Sequence, residues 1–60
     1  MTIFQSIKSV PNSGARPIPA RVCVTVVGVD GGTYEVLDLY DHRKVNVSKA
    51  VFEESFVRWN

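Results

Sequence analysis

The chain has very little cysteine and histidine, which removes the covalent and metal supports that small folds commonly use. Cys23 is the single cysteine and His42 the single histidine among the 60 residues. One thiol cannot form an intrachain disulfide and suits a reducing compartment. A tetrahedral zinc site needs about four ligands, usually Cys and His, so we expect no metal and no cofactor. Because so short a chain buries only about 60% of its unfolded surface, association with a second chain is the support that remains.

A strong charge excess and a long apolar run are also missing. The chain has seven Lys and Arg and six Asp and Glu, so its formal net charge is +1. A charge this small creates no strong field that would attract polyanions. The opening segment Met1–Lys8 lacks the basic start and apolar run of a signal peptide, and no stretch is long and apolar enough for a membrane span. We therefore expect one soluble, cytoplasmic domain over residues 1–60, with no membrane partner.

A β-hairpin from Ala20 to Asp41 is the strongest structural pattern. Its first strand, Arg21–Val29, is rich in β-branched side chains, which fit a pleated surface and are stiff in helices. Asp30-Gly31-Gly32 supplies the positive φ angles that tight hairpin turns require. Thr33–Asp41 returns as the partner strand. The pattern predicts a mainly β fold.

Shorter elements flank this hairpin. Three prolines make residues 11–19 a surface loop, which either connects strands or docks on a partner. Ser48 is a suitable N-cap for a short helix over Lys49–Ser55. The remaining segments are predicted as strands, namely Thr2–Val10, Lys44–Val47 and Phe56–Trp59.

The order of these elements resembles an SH3-like small barrel. The resemblance lies in the hairpin around Asp30-Gly31-Gly32 and in the ending Val45–Trp59. It implies about five strands with one short helical turn near the C-terminus. The ending also looks like the plasmid-borne type II dihydrofolate reductases, but their Val-Gln-Ile-Tyr segment is replaced here by Val45-Asn46-Val47-Ser48. The size and the Met start are similar to those of small phage-encoded accessory proteins that bind and modulate host enzymes.

Both faces of the hairpin strands are apolar. Because strand side chains alternate, one face of the first strand carries Val22, Val24 and Val26, and the other carries Cys23, Thr25, Val27 and Val29. In the return strand, Leu37 and Leu39 lie on one side, and Tyr34, Val36 and Tyr40 lie on the other. The second face is either covered within the chain or meets another subunit or a target protein. The residues predicted for an oligomer interface are Cys23, Val27, Val29 and Val36.

Catalytic patterns are not found. Cys23 lies among valines, where burial makes a thiol inert, and His42 lies in a polar turn. Gly28, Gly31 and Gly32 precede no helix, so we assign them to turns rather than to a phosphate-binding loop. Asp38 is the acid inside an apolar strand. It is predicted to be exposed or edge-facing, or to form an ion pair with Arg21, Arg43 or Arg58 within the fold or across an interface. We predict that the chain is not an enzyme.

The sequence therefore predicts a non-catalytic protein-binding module, which acts as a small homo-oligomer or as an inhibitor or adaptor of a larger protein. Aromatic residues and Arg dominate binding hot spots. The residues predicted to contact a partner are Tyr34, Tyr40, Arg43, Phe56, Arg58 and Trp59. A small-barrel nucleic-acid-binding protein is the alternative, with a basic cluster of His42, Arg43, Lys44 and Lys49 beside Tyr34, Tyr40 and Trp59 as stacking platforms.

Overall fold

A computed structural model describes residues 1–11 and 17–59 and confirms that the fold is mainly β. Five antiparallel strands form one sheet in the order β4-β3-β2-β1-β5. The elements in chain order are β1 (Phe4–Ser6), β2 (Cys23–Asp30), β3 (Thr33–Asp38), β4 (Arg43–Ser48), α1 (Lys49–Ser55) and β5 (Phe56–Arg58). Within the described residues, no helix has the length and apolar character needed to cross a membrane.

The hairpin of β2 and β3 is confirmed. Asp30 pairs with Thr33, which leaves Gly31 and Gly32 as a two-residue turn. Gly31 has φ 59°, in the left-handed region that glycine adopts without steric cost. The local chemistry of the turn therefore sets the register at this end of the hairpin.

A bulge in β2 changes which residues share a face. The pairing shifts between Val26 and Gly28. Gly28 lies inside the strand, as the predicted strand Arg21–Val29 implied, and not in a turn. Because a strand alternates with a period of two, one extra residue moves every later side chain to the other face. Val29 therefore pairs with Tyr34 and does not share the face of Cys23, as the uninterrupted alternation had suggested.

Strand β3 ends three residues earlier than predicted because Asp38 closes a turn. Its side chain is buried, at 7% exposure, and Oδ1 accepts hydrogen bonds from the backbone N–H groups of Tyr40 at 2.8 Å and Asp41 at 3.2 Å. The N–H of His42, which has φ 58°, donates to the Asp38 carbonyl at 2.7 Å. Asp38 is thus a buried turn-forming residue, and the expectation that it is exposed was wrong.

Replacing Asp38 by alanine should destabilise the fold, because two backbone N–H groups lose their acceptor. We expect a loss of about 1–3 kcal/mol in the free energy of unfolding, measured by urea denaturation followed by circular dichroism. Asp38→Asn retains an oxygen acceptor and should recover part of the loss. The control is Glu53→Ala, which removes an exposed carboxylate from α1. Equal midpoints for Asp38→Ala and Glu53→Ala would contradict this role of Asp38.

The opening strand is shorter than the predicted Thr2–Val10 and ends at Ser6, whose side chain is bonded inside the fold. Ser6 is 1% exposed, and its hydroxyl donates to the Pro19 carbonyl at 2.7 Å and accepts from the Val22 N–H at 2.9 Å. The next residue, Ile7, donates its N–H to the Ser55 carbonyl at 2.7 Å. These bonds tie the end of β1 to the segment before β2 and to the end of α1.

The proline-rich loop is only partly a surface loop. Pro11, Pro17 and Pro19 are exposed, but Ile18 is 2% exposed and pairs with the equally buried Val10 through two hydrogen bonds of 2.8 Å. The loop therefore contributes an apolar anchor to the core, contrary to the prediction for residues 11–19. Residues 12–16 lie outside the described part of the chain.

Helix α1 begins where predicted, since the Ser48 hydroxyl accepts from the Val51 N–H at 3.2 Å. The helix inserts Phe52 into the core, with ring centroids 5.0 Å from Phe4, 5.1 Å from Tyr34 and 4.8 Å from Phe56. These partners belong to β1, β3 and β5, so the sheet curls around one aromatic side chain. The arrangement is compatible with a small barrel.

Candidate protein-binding surface

The sheet has one face that α1 covers and one that it does not. Phe52 packs on Phe4 and Tyr34, so these two side chains mark the covered face. Successive strand residues point to opposite sides. Ile3 and Gln5, which flank Phe4, therefore point to the uncovered side, and so does Leu37, which follows the fully buried Val36.

Strand pairing places the side chains of this uncovered face next to one another. Gln5 pairs with Val57 on one side and with Cys23 on the other. The Leu39 N–H donates to the Cys23 carbonyl at 3.0 Å, which extends the row to the residue that follows β3. Directly opposed residues in antiparallel strands bring their Cβ atoms to about 4.5–5.5 Å, so the row is continuous from β5 through β1 and β2 to Leu39.

A second row runs beside the first. The Trp59 N–H donates to the Ile3 carbonyl at 2.8 Å, which continues the β1–β5 register by one pair. Leu37 pairs with Thr25, whose hydroxyl donates to the Thr2 carbonyl at 2.8 Å. We call the apolar members of the two rows the outer apolar face, which consists of Ile3, Cys23, Leu37, Leu39, Val57 and Trp59.

The outer apolar face is only partly removed from water. Trp59 is 52% exposed and Val57 is 46% exposed, while the other four members are half-buried. Single exposed apolar residues are normal on a protein surface, but contiguous ones mark interaction sites. An exposed tryptophan that borders aliphatic side chains is the composition of a binding hot spot.

Two of the predicted site residues, Trp59 and Cys23, lie on this face. Tyr40 and Arg43 lie elsewhere, in the turn after β3 and at the start of β4, and both are exposed. Arg58 is exposed near the end of β5, in register with Phe4. The predicted partner-contacting residues therefore do not form one patch.

Three of the predicted site residues make packing contacts within the fold. Val36 is 0% exposed and Phe56 is 5% exposed, so in this fold neither offers surface to a partner, and their assignment to contact sites was wrong. Tyr34 packs edge-on against Phe52, and the Lys49 ammonium lies 5.6 Å from the centre of its ring. This cation–π contact occupies two of the residues considered for nucleic-acid binding.

Four members of the outer apolar face were missed as site residues, namely Ile3, Leu37, Leu39 and Val57. A signal for two of them was present, since Leu37 and Leu39 lie on the side of their strand opposite Val36. Ile3 and Val57 could be placed only once β1 was paired with both β5 and β2. That pairing joins the two ends of the chain and leaves no local pattern in the sequence.

A shallow polar groove of about 660 Å³ lies near the turn end of the β2–β3 hairpin. Its lining includes Gly28, Glu35 and Asn46, which form a cross-strand row. A side chain at Gly28 would bring its Cβ to 3.3 Å from Glu35 Oε1, so the missing side chain makes room for this carboxylate. This side of the sheet therefore has a polar part, which is the groove, and an apolar part, which is the outer apolar face.

Reactive groups are sparse in the described part of the chain. No cluster of three or more His, Cys, Asp or Glu side chains capable of holding a metal occurs among residues 1–11 and 17–59. Glu54 has a pKa below its usual value because it accepts a hydrogen bond of 2.6 Å from Lys8 and lies beside the charge of Lys8. Both side chains are more than half exposed, so this ion pair is a surface contact between the segment after β1 and α1.

Comparison of the chain with protein-family models, curated proteins and solved structures finds no match.

Proposed function

We propose that the chain is a non-catalytic protein-binding module of the cytoplasm, which acts as a small homo-oligomer or as an inhibitor or adaptor of a larger protein. The single observation that carries the proposal is the outer apolar face. Its members come from four different strand regions, and cross-strand pairing gathers them into adjoining rows. The order of the elements supports an SH3-like small barrel as the scaffold.

The energetics of the outer apolar face favour a protein partner. Fully burying an aliphatic or aromatic side chain is worth roughly 1.5–3 kcal/mol, and Trp59 retains 52% of its surface for such burial. Its backbone N–H is already bonded to Ile3, which holds the residue in place before a partner arrives. A partner with a complementary apolar surface would therefore gain most of its affinity here.

The test of this proposal compares two exposed aromatic residues. We expect Trp59→Ala to weaken binding of the partner by about 30-fold, which corresponds to the 2 kcal/mol of a hot spot. The matched control is Tyr40→Ala, because Tyr40 is 84% exposed but lies outside the outer apolar face. The partner is captured from the host with the wild-type chain, identified by mass spectrometry, purified and titrated against each variant by calorimetry.

The comparison also identifies outcomes that contradict the proposal. If Trp59→Ala binds every captured protein as tightly as the wild type does, the outer apolar face is not the binding surface. If binding is lost in Tyr40→Ala and kept in Trp59→Ala, the turn after β3 is the contact region instead. Circular dichroism of both variants checks that the fold is intact.

A specific observation also favours nucleic-acid binding as the second candidate function. His42, Arg43 and Lys44 follow one another at the exposed β3–β4 turn, beside the exposed Tyr40. Cations for phosphates and an aromatic platform for a base are the elements of single-strand binding. Oligonucleotide binding that weakens steeply with salt and is lost in Tyr40→Ala would support this candidate, whereas no binding at low salt would eliminate it.

A further inference from the structure

Gln5 is a polar residue in the middle of the outer apolar face. It pairs with Val57 in β5 on one side and with Cys23 in β2 on the other. Ile3 lies two residues earlier on the same side of the sheet, because strand side chains alternate. Gln5 itself is half-buried. A side-chain amide therefore lies among apolar neighbours on the surface that we propose for binding.

The Gln5 amide makes no hydrogen bond within the described part of the chain. No side-chain hydrogen bond among residues 1–11 and 17–59 involves it. In the same residues, no buried side-chain N or O atom lacks a hydrogen bond, so the unbonded Gln5 amide is open to water. Thr25 is the other polar residue of the two rows, but it is 6% exposed and donates to the Thr2 carbonyl at 2.8 Å. Of these two side chains, Gln5 is the one that retains its full hydrogen-bonding capacity.

The position of this amide imposes a condition on any partner that covers the outer apolar face. A partner that excludes water from Val57 and Cys23 also removes water from Gln5, which lies between them. A buried amide without a hydrogen-bond partner destabilises the complex, because it loses the bonds that it made to water. The side-chain amide of glutamine has two N–H donors and an oxygen acceptor. The face therefore disfavours a wholly apolar partner and favours one that presents an N–H and a C=O group at this point.

We propose that Gln5 determines the specificity of the outer apolar face, and that its amide bonds to the backbone of an extended segment of the partner protein. The amide oxygen accepts from a backbone N–H of the segment, and the amide nitrogen donates to a backbone C=O. In an extended strand the N–H and C=O groups of one residue point to the same side, so a single residue supplies both. This inference rests on the proposed function and adds to it the class of partner.

The dimensions of the outer apolar face favour an extended segment over a helix. The row from Val57 to Leu39 crosses neighbouring strand positions, which are about 4.8 Å apart, so the row is about 14 Å long. The second row runs about 7 Å away, two residues further along the strands. About four residues of extended chain match this length. A helix is about 10–12 Å wide and bonds its backbone groups internally, so its backbone would leave the Gln5 amide without a partner.

The experiment uses short random peptides, displayed on phage and selected on the immobilised full chain. Each selected peptide is synthesised with its normal backbone and as a set in which one peptide bond at a time is replaced by an ester, which removes a single N–H donor. We expect one position at which the ester weakens binding to the wild-type chain about tenfold, because the Gln5 oxygen loses its donor. Calorimetry measures the dissociation constants.

Two variants of the chain separate a role in binding from a role in the fold. Gln5→Met keeps the length of the side chain and removes the amide, so it should bind the unmodified peptides about tenfold more weakly and no longer distinguish the ester. Its melting temperature should not fall, because the amide makes no bond within the described residues. The matched control, Thr25→Val, removes a hydroxyl that is bonded inside the fold. It should lower the melting temperature and keep the tenfold effect of the ester.

The inference is overturned if the wild type tolerates the ester at every position, if the ester effect persists in Gln5→Met, or if selection yields no peptide that depends on Gln5. A wild-type dimer in sedimentation equilibrium that Gln5→Met abolishes would place a second copy on the face and overturn the choice of an extended segment. If Trp59→Ala weakens peptide binding but no ester does, the proposed function stands while the inference fails. Peptides that Trp59→Ala binds as tightly as the wild type does count against the proposed function itself.

Discussion

Replacing Val36 by lysine should leave the chain unfolded at 25 °C. Val36 is 0% exposed and lies in the centre of the sheet, paired with Val26 in β2 and Val45 in β4. Burial of an unpaired charge costs several kcal/mol, in addition to the roughly 1.5–3 kcal/mol of apolar burial that is lost. A chain of this length has a total stability of about 3–9 kcal/mol, so the substitution removes most or all of it. Circular dichroism and thermal melting measure the effect.

Val27→Lys is the matched control for this substitution. Val27 is 46% exposed beside the bulge, where a lysine can extend its ammonium group into water. We expect this variant to keep the wild-type spectrum and a cooperative melt. A folded Val36→Lys variant with the stability of Val27→Lys would mean that Val36 is not in the core.

The second large effect is expected at Phe52, because one ring joins three strands. Phe52 is 6% exposed and contacts Phe4, Tyr34 and Phe56 at centroid distances of about 5 Å. Truncation of a buried phenylalanine to alanine costs about 3–5 kcal/mol, which is close to the whole stability expected for this length. We therefore expect Phe52→Ala to lose its cooperative thermal transition.

Two variants separate the role of the ring from that of the helix. Val51→Ala alters the neighbouring position of α1, which is 37% exposed, and should change the melting temperature little. Phe52→Leu keeps most of the volume but loses the edge-to-face contacts, so its stability should fall between those of the wild type and Phe52→Ala. Equal destabilisation by Val51→Ala and Phe52→Ala would show that the helix contributes through its backbone rather than through this ring.

Local elements followed directly from the residues. The Asp30–Thr33 turn and Ser48 with its helix each depend on contacts within a few positions along the chain. Gly31 supplies the positive φ angle of the turn, and one hydroxyl satisfies an amide of the first helical turn. Such features require no knowledge of what packs against them, so their positions could be predicted accurately.

Elements that depend on distant partners were predicted less well. Strand β1 ends at Ser6, whose buried hydroxyl bonds to Pro19 and Val22. Strand β3 ends at Asp38, whose buried carboxylate accepts from the turn that follows. Ile18 is buried because it pairs with Val10 across the proline-rich loop. In each case a tertiary contact overrode a pattern that, read locally, indicated a longer strand or an exposed loop.

The candidate site could be predicted only in part from the sequence, for the same reason. The apolar character of both hairpin faces indicated that one face was available, and Cys23 and Trp59 were among the residues chosen. The bulge after Val26 moved Val29 to the other face, and the aromatic cluster around Phe52 placed Phe56 in the core. One extra residue in β2 changed the face on which Val29 lies, and the central ring of Phe52 drew Phe56 into the core.

The sequence by itself therefore determined the mainly β class, the hairpin with its Gly31-Gly32 turn, and the capped helix, because their energetics are local. The tertiary structure alone decided that β1 lies between β2 and β5, and that pairing gathers the outer apolar face. The physical reason is that strand pairing between distant segments is selected by the burial of the whole core, which no single segment encodes.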